Sequence, residues 1–130
     1  MSYEYVIDSF AWIEYFKGTK EGKEASNFIE SGKAVTSAIS IAELSEKYFK
    51  EGKDFQERLD FMMSQTKIIN MDHNLARLAG KLNFENKKEI KDFGMADAII
   101  LATAKLVNGK VVTGDAHFKN LNSIMLGGIK

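Results

Sequence analysis

The stretch "YVIDSFAW", residues 5–12, decides how the rest of the chain is read. Tyr5, Val6 and Ile7 are residues that fill a pleated sheet. A bare carboxylate, Asp8, follows at once, and then a second apolar run begins with Phe10, Ala11 and Trp12. Burying an unpaired carboxylate costs several kcal/mol or forces it to take up a proton, on a scale of ~2–7 kcal/mol even for neutral polar groups. An acid placed where a buried strand ends therefore needs either a local capping role or a ligand.

Outward from this stretch, strand-like and helix-like segments alternate. Residues 3–8 form the first strand, and "SFAWIEYFKG" a short helix closed by Gly18. "KEGKEASNFIESG" is a second helix, with Phe28 and Ile29 inward and Gly32 at its end. "KAVTSA" is a short strand, followed by the helix "SIAELSEKYFKEG", with Ile41, Leu44, Tyr48 and Phe49 on one stripe. "DFQERLDFMMSQ" repeats the pattern with Phe55, Leu59, Phe61, Met62 and Met63. "KIINM" is a third strand, and Leu75, Leu78, Ala79 and Leu82 recur at helical spacing after it. A polar loop around residues 87–94 leads to the helix "MADAIILATAKLV", the strand "KVVTGD" and a last short strand, "SIML". Such alternation predicts an α/β fold: three α/β/α layers around a central parallel sheet. The aromatic and methionine stripes are expected to be core, with an interface as the competing reading, under which part of Tyr48, Phe49, Phe55, Phe61 or Met62 stays exposed.

Four acids fall at strand–helix junctions. Asp8 ends strand one, Glu43 opens the helix after strand two, Asp97 opens the helix before strand four, and Asp115 ends that strand. In a parallel α/β sheet these positions lie on one edge, where sites gather at the point of strand-order reversal. Each acid also has a capping explanation. Ser40 and Glu43 in "SIAE" have the spacing of a capping box. Asp97 suits a helix first turn, and Asp8 and Asp115 are good N-caps. Asp72 tests the argument, because it too follows a strand and opens a helix. If strand one is central, with strands two and four as its neighbours (the order 3-2-1-4-5), the four acids surround one crevice; strand three then lies outside strand two, which displaces Asp72 and leaves it a cap.

Convergence has a price in repulsion. Two carboxylates about 4 Å apart repel by roughly 4 kcal/mol at an effective dielectric of about 20. Four in one crevice must protonate, spread apart or bind a cation. The hard oxygen donors and the complete absence of cysteine favour Mg²⁺ or Mn²⁺ over zinc. His73 and His117 are far apart in sequence with no ligand spacing, and surface or capping roles are expected for both.

Taken in order, "VIDSFAWIEYF", "TSAISIAELSEKY", "DFGMADAIILATAKL" and "KVVTGDAHFKNL" resemble the PIN-domain nucleases, and among them the VapC-type toxins of prokaryotic toxin–antitoxin pairs. The resemblance spans essentially the whole chain. It implies a divalent-metal-dependent ribonuclease whose acidic quartet is Asp8, Glu43, Asp97 and Asp115. Asp8, Asp97 and Asp115 would hold Mg²⁺ or Mn²⁺, Glu43 would complete a second site or position the attacking water, and Ser9 and Thr113 would orient carboxylates and waters from behind. The same resemblance implies an RNA substrate, a homodimer and a VapB-type antitoxin partner. Two other classes compete. A receiver-like phosphoacceptor domain needs a pair of acids after strand one, where this chain has Asp8 followed by Ser9. A non-catalytic binding module would use the acids as caps alone.

Composition bounds these readings. One domain over residues 1–130 suits the length. The 18 basic and 18 acidic residues cancel, which disfavours nucleic-acid binding by bulk charge. Lys87, Lys88 and Lys91, and Lys17, Lys20 and Lys23, are local runs for which solvated surfaces are the default. No signal-peptide pattern and no apolar run of about 20 residues is seen, so no membrane contact and a cytoplasmic location are expected.

Overall fold

A computed structural model describes residues 2–127 of the chain. Its elements are β1 (Tyr5–Ile7), α1 (Ser9–Lys17), α2 (Lys20–Ile29), β2 (Ala34–Ser37), α3 (Ala38–Lys50) and α4 (Gln56–Gln65), then β3 (Lys67–Ile69), α5 (His73–Lys87), α6 (Met95–Val107), β4 (Lys110–Thr113), a 3₁₀ turn at Ala116–Phe118 and β5 (Ser123–Met125). The five strands form one sheet in the order β3-β2-β1-β4-β5. Every pairing is parallel. Val6 stands opposite Val35 on one side and Val111 on the other, so β1 is the central strand.

The period-two alternation of the strands divides the core between the two faces of the sheet. Val6, Val35 and Val111 pack with Leu75, Ala79 and Leu82 of α5 and the buried stripe of α6. Their neighbours Ile7, Ala34 and Val112 pack on the opposite face with Trp12, Ala25, Ile29, Leu44 and Met62. α6 is apolar nearly all round, with every residue from Ala98 to Ala104 buried. That burial fits a helix lying against the sheet and covered by α5. On the other face the Trp12 indole donates to Thr36 Oγ1 at 3.0 Å, and the Thr36 hydroxyl lies 2.7 Å from that of Thr66, which satisfies these three polar groups.

Two local expectations fail. α3 begins at Ala38, capped by Ser37, whose hydroxyl accepts from the Ile39 amide at 3.3 Å. Ser40 is therefore inside the helix and fully buried, and its hydroxyl has no hydrogen-bond partner. The "SIAE" capping box does not form, because β2 gives way to helix immediately and moves the cap three residues upstream. The stripe expectation also fails in part: Phe49 is 87% exposed and Met63 57%. The sheet is too narrow for α3 and α4 to bury every apolar residue they carry.

Candidate metal centre

The C-terminal end of β1 delivers Asp8 directly into the first turn of α1. Asp8 is the N-cap, and one carboxylate oxygen accepts from the Ala11 amide at 2.9 Å. β4, the hydrogen-bonded neighbour of β1, ends in Thr113 and brings Asp115 to the same edge. Asp115 caps the 3₁₀ turn, accepting from the His117 amide at 2.9 Å. Asp97 comes from the first turn of α6, where it accepts from the Gly94 amide at 3.0 Å. Glu43 projects from α3 and accepts from the Ser9 hydroxyl. The capping roles of Asp8, Asp97 and Asp115 are thus real, and each cap leaves oxygen lone pairs free. Asp8, Glu43, Asp97 and Asp115 all line one cleft of about 80 Å³, together with Ser9 and Phe10.

The electrostatics of this cleft are those of a site lacking counter-charge. Asp8 is only 5% exposed, and its carboxyl is pushed from the usual 3.8 up to about 7. Burial is the largest cause; hydrogen bonds from Thr113 and the Ala11 amide oppose it, and the charges of Asp115 and Glu43 add to it. Thr113 is itself fully buried, and its hydroxyl also accepts from the Asp115 amide at 2.9 Å. It thus ties the two aspartates together. Among the described residues, no lysine or arginine forms an ion pair with any of the four acids.

One neighbour was not anticipated from sequence. His117 Nδ1 lies 2.9 Å from Asp97 Oδ2 and 3.4 Å from Asp115 Oδ1, so this histidine belongs to the acidic edge rather than to open surface. Asp97, Asp115 and His117 each offer a ligand atom within 4.8 Å of the others. The available signal was its position two residues after Asp115, which puts it in the same turn; its partnership with Asp97, 20 residues away, needs the tertiary fold. His73 starts α5 beside Asp72, outside the cleft. Volume does not mark the site: a cleft of about 570 Å³ lies at the other end of the sheet, around Leu82, Glu85, Lys105, Gly109 and Asn122.

A five-stranded parallel sheet in this order, with acids after β1 and β4, one in the first turn of α6 and one, Glu43, in the second turn of α3 rather than at its start, defines an acidic α/β centre. The chain belongs to the PIN domain family, whose model matches residues 5–123. A toxin–antitoxin complex from Klebsiella pneumoniae has a chain similar to it at 25% identity and a TM-score of 0.77, with 97% of this chain and 100% of that one covered. The VapBC2 complex of Rickettsia felis bound to a promoter DNA fragment has a similar fold, at 23% identity and TM-score 0.73, covering 93% and 96% of the two chains. So does DNA-bound VapBC from Salmonella typhimurium, at 21% identity and TM-score 0.69, covering 95% and 96%. No curated protein matches the sequence. Among the described residues, no helix is long and apolar enough to cross a membrane.

Proposed function

We propose that the chain is a divalent-metal-dependent ribonuclease and the toxin of a VapBC-type toxin–antitoxin pair. The observation that carries this is the meeting of four acids from four separate segments in one cleft where, among the described residues, no lysine or arginine pairs with them and His117 alone stands beside Asp97 and Asp115. A receiver-like phosphoacceptor would need a second acid beside Asp8, and Ser9 stands there, donating to Glu43. PIN-domain nucleases generally work with divalent metals, and the donor set here fits one: carboxylate oxygens, one imidazole nitrogen and no thiolate.

Asp8, Asp97 and Asp115 would hold the ion, and Glu43 would either join them or hold the attacking water. The bound ion would lower the pKa of a water and offset charge developing on the phosphate. The chain's own contribution is orientation. Thr113 fixes Asp8 and Asp115 relative to each other, Ser9 fixes Glu43, and the Gly94 amide and His117 both hold Oδ2 of Asp97. Burial of Asp8 keeps its carboxyl dry, so a cation, once present, is attracted through a poorly screened medium.

A VapB-type antitoxin fits the apolar and aromatic surface that α3 and α4 leave exposed, including Phe49 and Met63, and a second copy of the chain is the other expected occupant. A cytoplasmic location is part of this proposal. The direct test is incubation of a mixed RNA pool with the purified chain, with and without Mg²⁺ or Mn²⁺, followed by mapping of the cut ends. Cleavage that requires the ion and stops on addition of the protein encoded beside this chain supports both halves of the proposal. Cleavage unaffected by chelation removes the metal, and no cleavage with saturable Mn²⁺ binding removes the nuclease.

A further inference from the structure

Among the described residues that line the acidic cleft, Phe10 is the large apolar side chain left exposed, and the metal centre does not explain its presence. It follows Asp8 and Ser9 in the first turn of α1, lines the same cleft as the four acids and is 37% exposed. A phenyl ring neither ligates a hard cation nor donates to a carboxylate. Nor is it core filler: Ile7, Ala11 and Trp12 on either side of it are fully buried. Its place depends on Gly114, the residue between Thr113 and Asp115. A Cβ at position 114 would overlap the Phe10 ring. Gly114 has no positive φ to account for a glycine, so the room it leaves for the ring is what its missing side chain supplies.

We infer that Phe10 is a stacking platform for a nucleobase of single-stranded RNA next to the phosphate held at the acidic centre. This rests on the nuclease reading above and names how that site grips its substrate. The acids repel an RNA backbone everywhere except at the ion, and the chain's net charge of zero offers no general attraction. Contacts that do not depend on charge then have most to add at the cleft itself, where no lysine or arginine pairs with the four acids among the described residues. Stacking of an unpaired base on an aromatic ring is such a contact, and it leaves the neighbouring phosphate free to reach the ion. The ring thereby chooses unpaired over duplex RNA, because a base inside a helix has no free face to offer.

Two readouts test this on the full-length chain. The first is crosslinking: single-stranded RNA 12-mers of mixed sequence, each carrying one 5-iodouridine, are irradiated with the protein in Ca²⁺, and the adduct is located by mass spectrometry. The second is cleavage in Mn²⁺ of the same oligomers, and of versions with one abasic nucleotide moved along the strand. The expected result is an adduct on Phe10 from one position near the cut. Phe10→Ala should raise KM roughly ten-fold with little change in kcat, since stacking is equally available before and during reaction. Phe10→Trp should keep the wild-type KM. Removing the base at the crosslinked position should raise the wild-type KM and abolish the difference between wild type and Phe10→Ala. Gly114→Ala, with Mn²⁺ affinity measured alongside, should reproduce the KM effect by displacing the ring. If wild type cleaves and Phe10→Ala matches it on every oligomer, or the abasic scan shows no coupling to Phe10, the platform is wrong and the nuclease stands. If wild type binds Mn²⁺ but neither crosslinks to nor cuts any RNA, both fall together.

Discussion

Asp8 and Asp72 each stand between the end of a strand and the first turn of a helix, with nearly the same backbone: φ −85° and ψ 178° for one, φ −85° and ψ −179° for the other. Each carboxylate accepts from the amide three residues on, at 2.9 Å in both. By local geometry they are the same residue twice. Their surroundings differ entirely. Asp8 leaves the central strand and is buried among Thr113, Asp115 and Glu43. Asp72 follows β3, the edge strand, and is exposed to water. The cap is therefore common to both, and the site comes from strand order: two central neighbours, β1 and β4, end side by side and gather the acids that α3 and α6 add.

The largest expected effect separates the two residues by activity. Asparagine caps a helix about as well as aspartate, so Asp8→Asn and Asp72→Asn should both fold. Disturbing groups behind a metal ligand costs about 10–100-fold, so losing a ligand should cost at least about a hundred-fold. Asp8→Asn, like Asp97→Asn, should lose metal-dependent RNA cleavage to that extent while Asp72→Asn keeps it. Equal activity in the Asp8 and Asp72 variants would erase the distinction drawn here.

Next comes the pH dependence of stability. The Asp8 carboxyl titrates near 7 in the folded chain and near 3.8 when free. Between those values the folded state holds a proton that the unfolded state has lost. The stabilisation is complete below 3.8 and disappears as pH rises through about 7. In metal-free buffer, denaturant unfolding should thus show stability falling over that window, more steeply than in Asp8→Asn. Mn²⁺ should reverse the trend, because it binds the ionised form and its stabilisation grows with pH.

A smaller effect belongs to Asp72 itself. Asp72→Ala removes the cap of α5 and should cost about 1 kcal/mol in equilibrium unfolding, with cleavage per folded molecule unchanged. A loss of activity beyond the loss of folded protein would bring Asp72 into the site.

Much of this was legible in the sequence. The apolar strands, the amphipathic α5 and the acids after "YVI" and "VVTG" are signals in which local chemistry and tertiary role agree; the strand order came with the resemblance, and the convergence of four acids followed once strand one was set at the centre. His117 and Phe10 were hidden because their partners, Asp97 and Gly114, are remote in sequence. Phe49 stood open between core and interface because its helical stripe is genuine, while the surface available to cover it is not a property of the helix.

The "SIAE" segment was misread for a different reason, and it supports the smallest prediction. The Ser-x-x-Glu spacing is correct for a capping box, but β2 runs straight into α3 and Ser37 takes the cap. That frees Glu43 to accept from Ser9, and it leaves Ser40 buried in the helix with an unpartnered hydroxyl. A buried hydroxyl without a partner destabilises, and alanine is the better helix former. Ser40→Ala should thus raise stability by about 0.5–1 kcal/mol, where a capping serine would lose about 1 kcal/mol. Ser37→Ala should go the other way by a few tenths, since its bond to the Ile39 amide is long, at 3.3 Å. Both variants leave the charge of Glu43 and its bond to Ser9 in place, so RNA cleavage should follow the folded fraction alone. Thermal denaturation of the pair decides the matter by sign: a destabilised Ser40→Ala would restore the capping box and return Glu43 to a local role like that of Asp72.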